Sequence, residues 1–478
     1  MTRTAVHVPD EYPRYLTVDE RPVFLIGATY PDGWYPITDP GRDFLPELDR
    51  LADVVRAVDS PHVAGLVRVI PYFSGVTLQP WSYDDKDDVY DLDEFDPRWE
   101  RRLRSYLQAA TDRDLVVALE LWDDWSITRG VGGAYDPGPE QAWNAHPFNP
   151  ENNVNYDGDA LPTTTRECGA PFYSTVPENA ATSSVLECQR RYAAHYADIV
   201  ADYPTVLCSV SNESRAHLQW SRYWADFLRD AIDPDRLVGD MPSTSEDGTG
   251  ECDSAFSPTT LLDDDQYDYV DCSQALSRHS FGSDRHDLIT GVKERVGAYA
   301  RQMDASGSVK PILVSKDYTN TAPDGRAVAW SKFVAGTASF RFHRHGVSVW
   351  DEVGSDDDVT FAFDTIQRLG QFVAETAFWR HRAPLEVITE TPDDAVALAR
   401  GEPGAEYVVA VIDGSGGDIA VDIEPGSYDA RWYDCGTGVF SLVNNDGTPL
   451  RIAGESLQVR VPEGAETQVL HVRRATSS

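Results

Sequence analysis

Short apolar runs, each closed by polar or aromatic residues, recur along most of the chain. They are VFLIGATY (23–30), VAGLVRVIPYF (63–73), LVVALELWDDW (115–125), VLCSVSNES (206–214), LVGDMPSTS (237–245), YDYVDCSQ (267–274), PILVSKDYTN (311–320) and VSVWDEVG (347–354). Each has the length and β-branched content of a buried strand. Between several of them lie FLPELDRLADVVRAV, RWERRLRSYLQAATDR, LECQRRYAAHYADIVADY and HLQWSRYWADFLRDAI, whose apolar residues recur at helical spacing. Strand and helix in alternation predict a parallel sheet joined by crossovers. Eight such units favour a (β/α)8 TIM barrel. The alternative, a Rossmann-like open sheet, is disfavoured because no Gly-x-Gly-x-x-Gly follows the first strand.

The stretch from Gly130 to Glu187 exceeds a minimal crossover and is rich in Pro, Asn, Gly and Thr. A long loop after a barrel strand lies on the carboxyl-terminal face, so this one is expected to wall a cleft there. Beyond Arg380 the texture changes to AVALARG, EYVVAVID, DIAVDIEPGSYDARWYD, LRIAG and LQVRVPEG, with turn residues every 8 to 12 positions. That spacing predicts an antiparallel β-sandwich. The expected division is a barrel over 1–381 and an all-β accessory domain over 382–478.

The chain has 478 residues, and its 79 acidic against 41 basic side chains give a formal charge of -38. Such a surface repels phosphate backbones and excludes nucleic acid as a partner. The only lysines are Lys86, Lys293, Lys310, Lys316 and Lys332, so arginine supplies nearly all the positive charge. Dense carboxylates with few lysines match a protein from a salt-loving organism, where self-repulsion is screened within about 3 Å at 1 M salt. A calcium-loop reading fails for want of an Asp-x-Asp-x-Asp-Gly run with its following Glu.

The six cysteines, Cys168, Cys188, Cys208, Cys252, Cys272 and Cys435, form no CxxC pair. No zinc knuckle or redox motif is therefore indicated, and a disulfide such as Cys168 with Cys188 stays open. The start, MTRTAVHVPDEYPRY, lacks an apolar core, and no run reaches membrane-spanning length. The expectation is a soluble chain without membrane insertion, cytoplasmic or associated with a particle or surface. No cofactor motif is present.

Function in a (β/α)8 barrel is read from the carboxyl ends of its strands. Here these ends carry Tyr30 and Trp34; Arg68 and Tyr72; Glu120, Trp122, Asp123, Asp124 and Trp125; Asn212 and Glu213; Lys316, Asp317 and Tyr318; Trp350, Asp351 and Glu352. His279 follows the sixth strand. Aromatic faces that stack on sugars, beside carboxylates that bond hydroxyls and move protons, point to a carbohydrate ligand.

A buried strand ending in Asn212-Glu213 lifts a carboxyl into a partly desolvated site, where its pKa rises toward that of a proton donor. Asn212 could bond a substrate hydroxyl. Capping of the helix expected to start near Ser214 is the structural alternative for Glu213. Arg68 could orient a second carboxylate or form a salt bridge within the barrel. Trp122, Trp125 and Trp350 are the stacking candidates, whereas Trp220, Tyr223 and Trp224 read as core. A metal site built on His343, His345, Asp351 and Glu352 is disfavoured, because His-x-His precedes the expected eighth strand and so falls on the opposite face. His217 reads as structural and Cys208 as a small buried residue. No Gly-x-Ser-x-Gly elbow supports serine chemistry.

The Asn-Glu pair at the end of the fourth strand, Arg68 late in the second and Trp350 at the end of the eighth resemble the clan-A glycoside hydrolases. AWNAHPFNPENNVNY, HYADIVADYPTVLCSVSNES and ARWYDCGTG are similar to a branch whose barrel is followed by a β-sandwich often labelled collagen-binding. The resemblance covers most of the chain and implies Glu213 as acid/base and a strand-seven Glu as nucleophile. In place of a run like VSED, however, this chain has PILVSKDYTN, with Lys316 at the nucleophile's position. An ammonium cannot attack an anomeric carbon as a carboxylate does. Asp317 could replace it if the strand end slips by one residue. Glu352 or Asp351 could supply the carboxylate. Inversion would need a more distant one, such as Glu120, at a separation of about 6.5 to 9.5 Å. The reading is a glycoside hydrolase acting on a poly- or oligosaccharide, with Glu213 and Asp317 as catalytic residues and Arg68, Glu120, Trp122, Asn212, His279, Trp350 and Glu352 around the substrate. The alternative is a catalytically inactive glycan-binding or structural protein of a cell surface or virion, with Lys316 paired to Glu213.

Overall fold

The computed structural model describes the chain except residues 1–4, 29–35, 74–77, 129–142, 161–170, 177–182, 244–255, 278–283, 320–321, 346–355, 445–448, 453, 455 and 476–478. Among the described residues, eight parallel strands curl into a barrel: β1 Arg21–Ala28, β2 Val63–Val69, β3 Leu115–Asp123, β4 Val206–Asn212, β5 Val238–Asp240, β6 Tyr269–Asp271, β7 in two pieces (Ile312–Leu313 and Asp317–Thr319) and β8 Ser339–His345. They pair in sequence order. The first piece of β7 pairs with β6, the second with β8, and β8 returns to β1. Continuity of the chain through Val314 to Lys316 thus closes the ring. A helix follows each strand: α1 Leu45–Val58, α2 Pro97–Thr111, α3 Ser183–Val200, α4 Leu218–Ala231, α5 Pro258–Leu262, α6 Arg285–Ser306, α7 Ala322–Ala335 and α8 Asp356–Ala374.

Seven expected strands are present, and the eighth lies earlier than expected. The run 347–354 lies outside the described residues, and SFRFHRH (339–345) supplies β8 instead. Its pattern alternates because Phe340 and Phe342 face the helix layer while Arg341 turns inward, donating from Nη1 to the Ser315 carbonyl at 3.0 Å. His343 and His345 therefore lie at the carboxyl end of β8, and their expected position on the opposite face is corrected.

Polar side chains of this size fit inside because glycines make room. A Cβ at Gly27 would lie 2.2 Å from the Leu66 carbonyl oxygen and 2.9 Å from the Arg341 side chain. One at Gly239 would meet the Tyr269 ring, whose hydroxyl donates to the Cys208 carbonyl at 2.8 Å. Helix starts follow ordinary capping chemistry. Asp96 accepts from the Arg98 amide at 2.7 Å before α2, and Asp284 from the Asp287 amide at 2.9 Å before α6.

The asparagines of the long loop are structural. Asn149, Asn152 and Asn153 donate to carbonyls of Trp143, Asn144 and Pro147, and Asn155 accepts from the Leu92 amide at 2.7 Å. This lashes the described part of the loop to the hairpin of Trp81–Asp84 and Val89–Phe95. Cys188, Cys208 and Cys435 are buried free thiols, and Cys272 is buried. Among the described residues no helix is long and apolar enough to cross a membrane.

The C-terminal region forms two antiparallel sheets: β9 Ile388–Glu390, β12 Asp418–Asp422 and β16 Ser456–Arg460 in one, and β10 Val396–Glu402, β11 Glu406–Ile412, β17 Thr467–Arg474, β13 Gly426–Asp434, β14 Val439–Leu442 and β15 Leu450–Ile452 in the other. Strand β11 of the larger sheet is buried on both faces. Tyr407, Val409 and Val411 pack toward the small sheet, while Val408, Ala410 and Ile412 join the barrel's own core. That double burial explains the unbroken apolar run EYVVAVI.

Candidate functional site

The carboxyl ends of β2, β3, β4 and β7 bring one charged network together. Arg68 donates from Nε to Glu120 Oε1 at 2.9 Å and from Nη2 to Asn212 Oδ1 at 2.5 Å. Asn212 Nδ2 donates to Asp123 Oδ1 at 2.6 Å, which fixes the orientation of the amide. Its Oδ1 therefore faces the cations and also lies 3.3 Å from Lys316 Nζ. Lys316 Nζ in turn forms an ion pair with Glu213 Oε1. A single amide thus bridges two cations, each of which holds one carboxylate. The side chains are all nearly buried, Glu213 at 8% and Lys316 at 3% exposure.

Glu213 adopts φ 51°, left-handed backbone that a side chain of its type rarely takes. The turn lifts it off the end of β4, and its neighbour Ser214 donates its amide to the Met241 carbonyl at 2.7 Å. The capping role is overturned: α4 begins at Leu218, and the His217 ring accepts from the Trp220 amide at 3.2 Å.

The electrostatics follow from burial. Asp123 is pushed up to about 7 by burial, against hydrogen bonds from Ser126 and Asn212. Asp240 on β5 also rises to about 7 through burial, although Ser221 and the Met241 and Ser211 amides donate to it. Burial raises Glu120 as well, with Arg68 opposing. Asp271 on β6 accepts from the Ser273 amide at 2.9 Å and from the Ser315 hydroxyl.

Other expected site residues are placed differently. Asp317 does not face Glu213: it is fully buried, paired with Lys332 of α7 and bonded by Ser277 Oγ at 3.1 Å. The strand does not slip, so Lys316 keeps the inward position and Asp317 is turned toward the helices. Trp122 does not reach the site either, because its ring packs outward among Tyr192 of α3, Trp220 and Trp224 of α4, and Phe172. Both amide ends of Asn212 are engaged within the protein, and Arg68 forms the salt bridge with Glu120. His279, Trp350, Asp351 and Glu352 lie outside the described residues, as do Tyr30 and Trp34.

Arg341 is the one participant here that the sequence did not single out, hidden in an alternating strand. Asp123 and Tyr318 were legible as strand-end residues but not in their roles; the Tyr318 ring lies 5.5 Å from Lys316 Nζ and edge-on to His343. Among the described residues no group of three His, Cys, Asp or Glu side chains is arranged to hold a metal ion.

Comparison with known proteins sets this geometry in context. No protein-family model matches the chain, and no curated protein matches it in sequence. Solved structures do match in fold. One described as a glycoside hydrolase has a TM-score of 0.61 at 14% identity, covering 99% of this chain and 98% of its own. A glycoside hydrolase family 5 protein from Bacteroides vulgatus gives 0.62 at 14% identity over 98% and 93%. An alpha-amylase from Geobacillus thermoleovorans gives 0.53 at 11% over 95% and 99%. At these identities the likeness shows the fold: a parallel α/β barrel followed by antiparallel sheets, the architecture of these glycoside hydrolases.

Proposed function

We propose that the chain is a glycoside hydrolase acting on a poly- or oligosaccharide at the carboxyl-terminal end of its barrel, with Glu213 as the working carboxylate. The observation that carries this reading is Glu213 itself. A glutamate held in left-handed backbone at the tip of β4 costs about 1 to 3 kcal/mol of local strain, a cost concentrated at functional sites. The barrel and its appended sheets share their architecture with glycoside hydrolases, which supports the same reading. Asp317 is not part of the proposal, since it is sealed against Lys332. The partner carboxyl in this proposal is Glu352, with His279 and Trp350 as further substrate-binding residues.

A second reading is a catalytically inactive glycan-binding or structural protein. The Lys316–Glu213 ion pair favours it, because a carboxylate held by an ammonium is a poor proton donor. In either case the acidic composition points to work in concentrated salt.

The test is hydrolysis of aryl glycosides and acidic and neutral polysaccharides in molar salt by the wild type, Glu213→Gln, Glu352→Gln and Asp317→Asn. The proposal expects losses of about 10²-fold or more in the first two, in line with the worth of a general acid or base. Asp317→Asn should retain the wild-type mechanism with reduced stability. A wild type silent on every substrate that still binds glycan would establish the second reading.

A further inference from the structure

We propose that Lys316 is a positioning residue that holds Glu213 as an ionised carboxylate at rest, so that Glu213 enters its chemistry as a base or anion rather than as a proton donor. This rests on the reading of Glu213 as the working carboxylate, and it assigns that residue's charge state, which the fold alone does not.

The geometry makes the assignment. Lys316 sits where β7 breaks, so its side chain turns inward while Asp317 turns to α7. Nζ touches Glu213 Oε1 and lies 3.3 Å from Asn212 Oδ1. Asp123 accepts from Asn212 Nδ2 at 2.6 Å, and the Ser126 amide holds Asp123 Oδ2 at 2.9 Å. The amide of Asn212 is thereby prevented from flipping, and its oxygen stays pointed at Lys316 and Arg68. A flipped amide would aim two donors at two cations and drive Lys316 away from Glu213.

The surrounding charges are arranged in favour of the anion. Arg68 from β2 is the second cation facing Glu213, and its own charge is shared with Glu120 of β3. Asp271 of β6 is occupied by Ser273 and Ser315, and Asp240 of β5 by Ser211, Met241 and Ser221. Arg341 of β8 adds a further interior cation, and Tyr318 presents its ring to Lys316. An opposite charge in contact favours the ionised carboxyl, and here that charge is buried with it.

The consequence for hydrolysis is a specific division of labour. Glu213 would take a proton from the attacking water as its oxygen bonds to the anomeric carbon. The glycosidic C–O bond breaks, and the leaving oxygen takes its proton from an acid other than Glu213.

The experiment is a titration of the Glu213 carboxyl by NMR in protein labelled with [13Cδ]glutamate, the resonance being identified by its loss in Glu213→Gln. Wild type should titrate below the ordinary glutamate range, Lys316→Met clearly higher than wild type, and Lys316→Arg near the wild type. Lys316→Gln provides the same comparison if the methionine variant does not fold. Any hydrolysis should fall on the acid side of the measured midpoint and move upward with it in Lys316→Met. Equal midpoints in wild type and the neutral variants, or a wild-type midpoint at or above the ordinary glutamate range, would overturn the proposal. Because the titration needs no turnover, an inactive protein with a low midpoint refutes the hydrolase reading and leaves the charge assignment standing.

Discussion

Arg68 shows what one side chain contributes when it is enclosed by its partners. It is 7% exposed, with Glu120 on Nε and Asn212 on Nη2, so neither its own charge nor that of Glu120 has access to water. Removing one partner of a buried pair strands the other, at a cost of about 3 to 5 kcal/mol, whereas replacing both by apolar groups is far less costly. Arg68→Met should therefore lower the free energy of unfolding in urea by about that amount, and Arg68→Met with Glu120→Leu should recover most of it. A double variant no more stable than the single would show that Glu120 is not what Arg68 neutralises. At this scale the sequence told which residues stand at strand ends, and so gave Arg68, Asn212, Glu213 and Lys316. It did not tell which way each side chain turns. Trp122 and Asp317 are strand-end residues by position yet face the helices, because inward or outward orientation is decided by local twist and by partners such as Lys332 and Trp224 that lie far away in sequence.

At the scale of the element, the closure of the barrel depends on where backbone is left bare. Gly27 on β1 lies beside Arg341 of β8, and any Cβ there would meet the Leu66 carbonyl oxygen at 2.2 Å. A backbone atom cannot step aside as a flexible side chain does, so overpacking at this point should cost at least the usual 1 to 3 kcal/mol, roughly. Gly27→Ala is expected to lower the thermal midpoint by several degrees, while Gly291→Ala, on an open face of α6 where nothing lies within 4 Å, should hold or raise it. A Gly27→Ala protein as stable as wild type would remove glycine from the account of closure. The legibility of strands follows the same logic. Runs such as VLCSVSN are buried on both faces and stand out as continuous apolar segments. β8 alternates because its inward residues contact a polar interior, so a search for apolar runs passes over it to VSVWDEVG. The break in β7 was equally hidden, since PILVSKDYT reads as one strand and only its two pairing partners divide it.

Across the whole molecule the barrel and the sandwich share a core, and ionisable groups lie within that contact. Glu406 of β11 accepts from His381 Nε2 at 2.8 Å and His471 Nε2 at 2.6 Å, with Arg473 3.5 Å away and Arg431 on the far nitrogen of His471. Burial lowers His381 to about 4 from its ordinary 6.5, the hydrogen bond with Glu406 opposing. The folded state therefore binds a proton at His381 less readily than the unfolded chain, and stability falls as pH drops from 6.5 toward 4. The increment is at most about 3 kcal/mol at 1.36 kcal/mol per unit. Asp123 and Asp240, raised to about 7 by burial, act in the opposite sense over the same range. The check is accordingly a difference: the loss between pH 6.5 and 4 should be smaller in His381→Gln than in wild type, and equal losses would remove His381 from the balance.

The net charge of -38 acts on every part of this structure at once, because like charges repel less in the expanded chain than in the compact one. Much of the surface acidity has no arginine to meet it, with 79 acids against 41 bases. At 0.1 M salt the screening length is about 10 Å and neighbouring carboxylates still repel, whereas at 1 M it is about 3 Å and they no longer do. The buried pairs Arg68–Glu120, Lys316–Glu213 and Lys332–Asp317 are shielded from that change, so salt should relieve repulsion without dissolving the network at the strand ends. The thermal midpoint is therefore expected to rise from 0.1 M to 3 M KCl, steeply at first. Because salt also strengthens apolar burial, the series is to be repeated at pH 4.5, where many surface carboxylates are protonated. A rise that flattens at pH 4.5 identifies repulsion as its cause, and a rise of the same size at both pH values would assign it to the apolar core instead.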